Sequence, residues 1–367
     1  MSEHAFLQPS AAVCWEACAL HPTMNKLYPE LEDTAPAMEG TAAHWVFEQM
    51  VNGNDVKVDQ VAPNGVPITE EMIDGALIFL ERIGGANNTG FVETRVSMSG
   101  TIHKDNWGTP DFYSFDRAEK LIHVVDYKFG FGYVDAFENM QCINYVIGVC
   151  EKLNLPLDGD YDVRIEVVQP RCYTREGPLR IWETSLKALN PYFQRLYDAA
   201  QAAVGENPSA TPGDHCEFCT GRHACEALQV EALRAADWSY EVVPFEIPVG
   251  PASRELHNMS RAFKLMEARI TGLQEMLMAK LRAGITVPGF ALGRGEGRLR
   301  WTKPPAEIAA LGDLLRVDLV KPAVVTPRQA IKMGVSETII AAVTETPVGE
   351  WKLVEEDLSK SRKVFGK

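Results

Sequence analysis

Apolar positions in the first half of the chain follow two rhythms. At residues 10–20, roughly 37–52 and 71–83 they return every three or four positions, which predicts helices. At 91–98, 109–116, 121–128 and 162–169 they alternate or run together over a short span, which predicts strands. The last of these, Asp-Val-Arg-Ile-Glu-Val-Val-Gln, alternates cleanly. A helix of about 18 residues, Ala136–Leu153, separates the third strand from the fourth. A further helical stretch at 185–204 leads into the Pro/Gly-rich Asn207–Gly213 and a group of cysteines. Helices interleaved with strands in this order predict an α/β fold, a mixed central sheet flanked by helices.

The pattern changes after Ala236. Trp238–Pro251 holds three prolines and reads as a linker. A long helix follows, Ser253–Ala283, closed by Gly284. Leu256, Met259, Phe263, Met266, Ile270, Leu273, Leu277 and Leu281 are spaced three and four apart along it, a heptad-like seam. Such a seam either packs one arm of a helical hairpin on the rest of the chain or joins two chains in a coiled coil. The expected division is a domain over 1–236 and a mostly helical C-terminal appendage over 237–367.

Composition narrows the class. Hydrophobic residues make up 46% and charged residues 23%, as in ordinary globular proteins. No apolar run is long enough to span a membrane, and the first residues lack the basic start and apolar stretch of a signal peptide, so no membrane partner and a cytoplasmic location are expected. The net charge of −14 argues against coating nucleic acid by bulk electrostatics, though not against a local basic groove. Eight cysteines in a reducing compartment point to metal ligation wherever they cluster.

The strand pair 109–116 and 121–128 carries the chemistry. If Asp116 faces Leu121 across the polar turn Arg117-Ala-Glu-Lys120, the same register puts Asp111 opposite Asp126. Lys128, two residues on, shares the face of Asp126. Paired carboxylates repel one another unless a cation lies between them, and oxygen ligands at this charge density suit Mg²⁺ or Mn²⁺. A metal there polarises a phosphoryl oxygen and acidifies a bound water, while Lys128 orients that water or offsets developing charge. The reaction implied is phosphodiester hydrolysis. Asp-x-Lys on a strand is also a common solvated ion pair; the facing Asp111 favours the metal site.

Upstream, Gly40-Thr-Ala-Ala-His44 opens a helix with Thr41 as candidate N-cap, and His44 shares a face with Glu48. His44 either adds a nitrogen ligand, with Glu48 orienting it or nearing the metal itself, or is an ordinary packed histidine. Downstream, Gln141 and Tyr145 share a helical face and can contact phosphate or bases, or brace Lys128.

Taken in order, Gly40-x3-His44, Gly108-Thr109-x-Asp111, Asp126-x-Lys128 and Gln141-x3-Tyr145 resemble the successive motifs of RecB-like PD-(D/E)xK nucleases. The resemblance covers about residues 40–145 and implies a restriction-endonuclease-like core. It implies His44, Asp111 and Asp126 as metal ligands, with the Tyr127 carbonyl a further one. It makes Lys128 the catalytic lysine, with Gln141 and Tyr145 on the following helix. Cys216-x2-Cys219-x5-Cys225, together with Cys14 and Cys18, resembles the [4Fe–4S] staple of AddB-type and CRISPR-associated exonucleases. The context Ser10-Ala-Ala-x2-Trp15-x2-Cys18 resembles phage-encoded RecB-like proteins of undefined role and implies Cys18 as fourth ligand, with Cys14 the alternative. His215 and His223 beside the triplet leave a zinc site open. Cys142, Cys150 and Cys172 read as buried small hydrophobes.

The segment Pro288–Trp301 also resembles that phage group. Its Gly-x-Gly-x-Gly run lacks the βαβ setting of a dinucleotide loop. Arg294, Arg298, Arg300 and Lys303 around Trp301 either grip DNA or form an ordinary basic strand, and Ser359–Lys367 reads as a basic, mobile tail.

The leading expectation is a Mg²⁺- or Mn²⁺-dependent deoxyribonuclease, an exonuclease on ends or single-stranded regions, serving phage recombination, repair or replication in a host cytoplasm. A helicase or single-strand-binding protein is a candidate partner, and the 253–283 helix a candidate oligomer seam. The alternatives are a silent DNA- or helicase-binding module, a zinc-stapled adaptor, and a CRISPR spacer-processing nuclease; the long appendage is foreign to the last.

Overall fold

The computed structural model describes residues 5–29, 34–85, 89–172, 177–237, 249–296, 300–319, 326–345 and 348–355. Two compact units divide at Gly272, Met1–Gly272 and Leu273–Lys367. The first opens with α1 (Ala12–Ala17), α2 (His21–Leu27), α3 (Ala35–Val51) and α4 (Glu70–Arg82). Short strands β1 (Phe91–Val92), β2 (Val96–Ser97) and β3 (Trp107–Gly108) lead to β4 (Phe112–Asp116) and β5 (Leu121–Tyr127). Then come α5 (Met140–Leu153), β6 (Asp162–Val168), β7 (Leu179–Ser185), α6 (Asn190–Val204), α7 (Glu226–Asp237) and α8 (Val249–Arg282).

The expected α/β architecture is present: a mixed five-stranded sheet, order β1-β4-β5-β6-β7, flanked by helices. Only β5 and β6 run parallel, joined through α5, as a parallel pair requires. Both faces are covered. Ile122, Val124, Val163, Ile165 and Val167 pack with α5 and α6, while Val125, Tyr127 and Val168 pack with α3 and α4. Burial on both faces explains the apolar runs Val124–Val125 in β5 and Val167–Val168 in β6. Gly75 lets α4 approach the end of β5: a Cβ there would lie 2.5 Å from the Tyr127 hydroxyl and 2.8 Å from Pro170.

The β4–β5 turn is built by its own residues. Asp116 Oδ1 accepts from the backbone N–H of Ala118 (2.8 Å) and Glu119 (3.1 Å), and Lys120 takes a left-handed φ of 51°. Asp116 pairs with Leu121, as the sequence predicts, and the ladder continues to Phe112 opposite Val125.

Several boundaries differ. The helix expected at 10–20 stops at Ala17, with Cys18 extended, and α2 begins afresh at His21. Thr41 is not an N-cap. α3 starts at Ala35, Thr34 caps it by accepting from Ala37 N–H, and Thr41 sits inside it, donating to Ala37 O. α5 starts at Met140 because the Asn139 side chain caps it, accepting from Cys142 N–H. The run at 91–98 splits into β1 and β2 at Glu93, whose φ is 44°. β7 was not anticipated; it is a half-exposed edge strand with a weak pattern.

α8 extends from Val249, so the expected linker is cut short; residues 238–248 lie outside the described residues. The division falls later than residue 236 because the first part of α8 packs on the cysteine segment. Leu265 and Ala268 meet Leu228 and Cys216, and Arg269 donates to the Arg222 and His223 carbonyls. That contact face is not the heptad seam: Leu256 (69%), Met259, Phe263 (66%) and Ile270 are exposed.

The second unit holds β8 (Phe290–Glu296), β9 (Arg300–Trp301), α9 (Pro305–Leu315), α10 (Pro327–Lys332), α11 (Glu337–Ala342), β10 (Thr344–Glu345) and β11 (Val348–Glu355). Its two ribbons pair β8 with β11 and β9 with β10, and Ile308, Leu319, Ala330, Val335 and Ile340 form its core. No described helix is long and apolar enough to cross a membrane.

One buried ion pair ties the sheet to α4. Glu166, wholly buried on β6, accepts from Arg82 Nε and Nη2, both at 2.8 Å, and lies 3.2 Å from His123 Nε2. Burial alone would push this carboxyl up, but His123 and Arg82 outweigh it and hold the pKa at about 2. Arg82→Ala, which strands the carboxylate, is expected to cost about 3 kcal/mol in urea unfolding. Glu166 titrates at about 2 when folded and near 4.5 when free. Its contribution is therefore complete above pH 4.5 and lost as pH falls toward 2, so the wild-type advantage over Arg82→Ala should shrink across that window.

Candidate functional site

Beyond its last paired residue, the β4–β5 register sets Asp111 opposite Asp126. Asp111 is knitted in on three sides. Its Oδ2 accepts from Tyr127 N–H (2.5 Å), its carbonyl accepts from Glu93 N–H (3.1 Å), and its Oδ1 lies 3.2 Å from His44 Nδ1. Glu93 Oε1 is 3.6 Å from the same nitrogen. Among the described residues, His44, Glu93 and Asp111 are the set of three His, Cys, Asp or Glu ligand atoms lying within 4.8 Å of one another.

Asp126 belongs to a second, adjoining cluster. Lys128 Nζ lies 3.1 Å from its Oδ1 and 3.0 Å from its Oδ2. Gln141 Nε2 donates to the same Oδ1 (2.9 Å), and Gln141 Oε1 accepts from Lys128 Nζ (3.1 Å). The three side chains close a ring of hydrogen bonds. Tyr145, one turn along α5, hydrogen-bonds Gln141, and burial pushes its phenol well up. Its ring passes over Gly108, where a Cβ would lie 3.1 Å from Tyr145 and 2.8 Å from Pro9. The glycine of Gly-Thr-x-Asp is thus required for close packing.

The charges are unevenly shared. Burial raises Asp126 and Glu93. Burial also acts against Asp111, but the facing His44 ring overcomes it and holds Asp111 below the usual range. Burial opposes a charge on His44 too, yet Asp111 and Glu93 lift it to about 10. Lys128 is held up by Asp126 and Asp111 against its own burial. Protons on His44 and Lys128 are what offset three crowded carboxylates, with Glu48 adding its field at Glu93. A divalent cation fits the donor set: oxygen-rich, one imidazole, buried, with excess negative charge.

Glu93 is the residue that sequence reasoning missed. It was absorbed into a strand, and only the pairing of β1 with β4 brings it to Asp111. Its left-handed backbone is a strained conformation of the sort that persists at functional sites. Glu93, rather than Glu48, makes the contact with His44. The Tyr127 carbonyl stands at the end of β5, while its ring lies on the other face, beside His44 and Phe47.

The cysteines converge as well. Cys18, Cys216, Cys219 and Cys225 line one pocket with His21 and His215. Thr211 N–H donates to Cys18 Sγ and Gly213 N–H to Cys216 Sγ, both at 3.4 Å, and Gly221 donates to Cys219. Cys14 is buried, its thiol raised to about 12 by burial and by Cys219, Cys216 and Cys18. Burial and the neighbouring thiols likewise lift Cys219 to about 11. Such crowding favours a cation at the centre. His223 packs edge-on against Tyr28. Cys142, Cys150 and Cys172 are buried.

Arg294 pairs with Trp351 in the β8–β11 ribbon, and Arg300 with Glu345 in the β9–β10 ribbon. Trp301 is half-buried and packs on the core around Ile308. Lys303 lies 3.5 Å from Glu307. Arg298 and Ser359–Lys367 lie outside the described residues.

Over residues 4–360 the chain matches the family described as "Protein of unknown function (DUF2800)". The chain belongs to that family. No curated protein matches it. The match spans both clusters of this DUF2800 protein, the carboxylates and the thiols, and the second unit up to residue 360.

The carboxylate cluster makes a direct prediction. Mn²⁺ at a hundredfold excess over its dissociation constant should stabilise the protein by about 2.7 kcal/mol, visible as a raised melting temperature. Asp111→Asn and His44→Ala should abolish that rise in a thermal-shift titration, while Lys303→Ala should keep it.

Proposed function

We propose that this chain is a metal-dependent DNA nuclease with a restriction-endonuclease-like core, hydrolysing phosphodiester bonds with Mg²⁺ or Mn²⁺ and stapled by a [4Fe–4S] cluster. One observation carries the reading: Asp111 faces Asp126 in register, His44 and Glu93 close on Asp111, and Lys128 lies 3.0 Å from Asp126. A divalent ion bound there supplies Lewis acidity toward a phosphoryl oxygen and acidifies the attacking water. His44, Asp111 and Asp126 would hold it, with Glu93 and the Tyr127 carbonyl as further oxygen donors.

Lys128, charged and anchored by Asp126, orients the water and offsets negative charge on the phosphoryl group. Gln141 bonds both Asp126 and Lys128, and Tyr145 braces Gln141, so these two act as positioning residues.

The thiol pocket supports the staple. Cys18 lines it with the three downstream cysteines, which supports Cys18 as the fourth ligand, while Cys14 is buried within the electrostatic reach of Cys219, Cys216 and Cys18. Tetrahedral zinc holds sulfurs about 3.8 Å apart. Among the described residues no three cysteine sulfurs lie within 4.8 Å of one another, a spacing that favours the larger cluster. Joining Cys18 to Cys216–Cys225 closes a loop of about 200 residues and restrains its unfolded chain.

Anaerobically purified protein should cleave end-labelled DNA with Mg²⁺ or Mn²⁺ and not with EDTA. Asp126→Ala and Lys128→Ala should each lower the rate at least about 100-fold. Equal rates in the variants, or none in iron-replete wild type, would contradict the nuclease reading. Elemental analysis should find iron rather than zinc, lost in Cys18→Ser and retained in Cys14→Ser.

A further inference from the structure

Arg180, on β7, stands in the same transverse row as Asp126: Asp126 pairs with Val167, and Val167 with Arg180. Two strand spacings, about 10 Å, separate the two backbones, so the arginine borders the metal centre without entering it. Arg180 is only 4% exposed. None of its three guanidinium nitrogens has a hydrogen-bond partner among the described residues, and no described carboxylate forms an ion pair with it. A buried, permanently charged guanidinium without a counter-ion is costly and uncommon in a folded protein. Its companion is an aromatic ring: the guanidinium carbon lies 4.7 Å from the centre of Tyr133.

Tyr133 belongs to the segment Phe129-Gly-Phe-Gly-Tyr-Val-Asp, which starts directly after Lys128. Phe131 is 66% and Tyr133 51% exposed, an unusual outlay of aromatic surface. The segment is nonetheless held in shape. Gln169, buried at the end of β6, donates from Nε2 to the carbonyls of Gly130 (2.8 Å) and Gly132 (2.6 Å), and its Oε1 accepts from Val134 N–H (3.2 Å). On the other side the Arg171 guanidinium lies over the Phe129 and Phe131 rings, itself anchored by Glu39 and Glu71. Exposed aromatics on a clamped loop are preorganised for stacking.

From these features we propose that Arg180 and the Gln169-clamped loop form a binding track for single-stranded DNA leading into the carboxylate centre. The uncompensated charge of Arg180 draws a backbone phosphate beside the one at the carboxylate centre, and Tyr133 and Phe131 stack on unpaired bases. The occupant is single-stranded because bases within a duplex offer no free face to a ring. The proposal rests on the nuclease reading for the polymer's identity, but its test does not involve cleavage.

The test is fluorescence anisotropy of the full chain with an end-labelled oligothymidine of about 12 nucleotides, in EDTA. Arg180→Met should weaken binding at least tenfold and lower the slope of log affinity against log salt by about one. It should also raise the melting temperature, since it removes a charge that the free protein buries without a partner. Tyr133→Ala, at an exposed position, should weaken binding about tenfold with little change in stability and keep the Mn²⁺-dependent thermal shift. Wild-type affinity in Tyr133→Ala and Arg180→Met, or no binding by the wild type, would overturn the track. The nuclease reading would stand or fall separately on metal-dependent cleavage. If Arg180→Met melts lower and binds normally, Arg180 is a structural residue and the proposal is wrong; if it fails to fold, Tyr133→Ala decides.

Discussion

The register of one hairpin is the constraint on which the molecule's chemistry depends. Asp116 against Leu121 determines every pair up to Phe112 and Val125, and one step further sets Asp111 opposite Asp126. A slip of β5 by one residue would turn Asp126 to the face opposite Asp111. It would also swap the apolar sets, Ile122 with Val124 and Val125 with Tyr127, that β5 presents to the two helical layers. The hydrogen bond from Tyr127 N–H to Asp111 Oδ2 extends the ladder through a side chain where the backbone pairing ends. Neighbouring strands inherit that order. β1 delivers Glu93 to the Asp111 carbonyl, and β6 and β7 carry the row from Asp126 to Val167 and Arg180.

Electrostatics explains why the register is an expense as well as an organiser. Asp111, Asp126 and Glu93 are drawn together in a largely buried place, and His44 and Lys128 are the cations beside them. Like charges at this range are tolerated because His44 and Lys128 offset them and the surrounding packing holds them in place. α3 and α4 pack against one face of the sheet and α5 and α6 against the other, and the Arg82–Glu166 pair anchors α4 to the sheet. The thiol pocket repeats the theme. Mutual repulsion and burial raise Cys14 and Cys219, and backbone N–H groups already point at the sulfurs. In both places donors are assembled ahead of the cation that would reconcile them.

Much of this was legible in the residues. The alternation in β5 and β6, the polar turn at Arg117–Lys120 and the position of Asp111 were enough to place two acids face to face, because a period-2 strand leaves little freedom once one pair is known. The cysteine spacing likewise anticipated that Cys216, Cys219 and Cys225 lie together. What escaped depended on tertiary contacts. Glu93 sits between two strands of two residues each, too short for periodicity to reveal, and its left-handed backbone cannot be read from a glutamate. The heptad spacing on α8 did not reveal its intrachain contact, because Leu265 and Ala268, rather than the strongest heptad positions, meet the rest of the unit. That Trp301 packs on the Ile308 core could not be read from its basic neighbours, because the core of that unit is assembled from residues far apart in the chain. Arg180 had no sequence signal: a lone arginine in an unrecognised edge strand gains meaning only from its row.

The central claim is that the hairpin register exists to hold a divalent cation. A crystal grown with Mn²⁺ and measured at an anomalous wavelength tests it most directly. The account predicts a peak beside His44 Nδ1 and Asp111 Oδ1, at metal–ligand distances of about 2.0–2.2 Å, with Asp126 or Glu93 completing the shell. A full-occupancy structure with no peak there, and with His44 still hydrogen-bonded to Asp111, would contradict it.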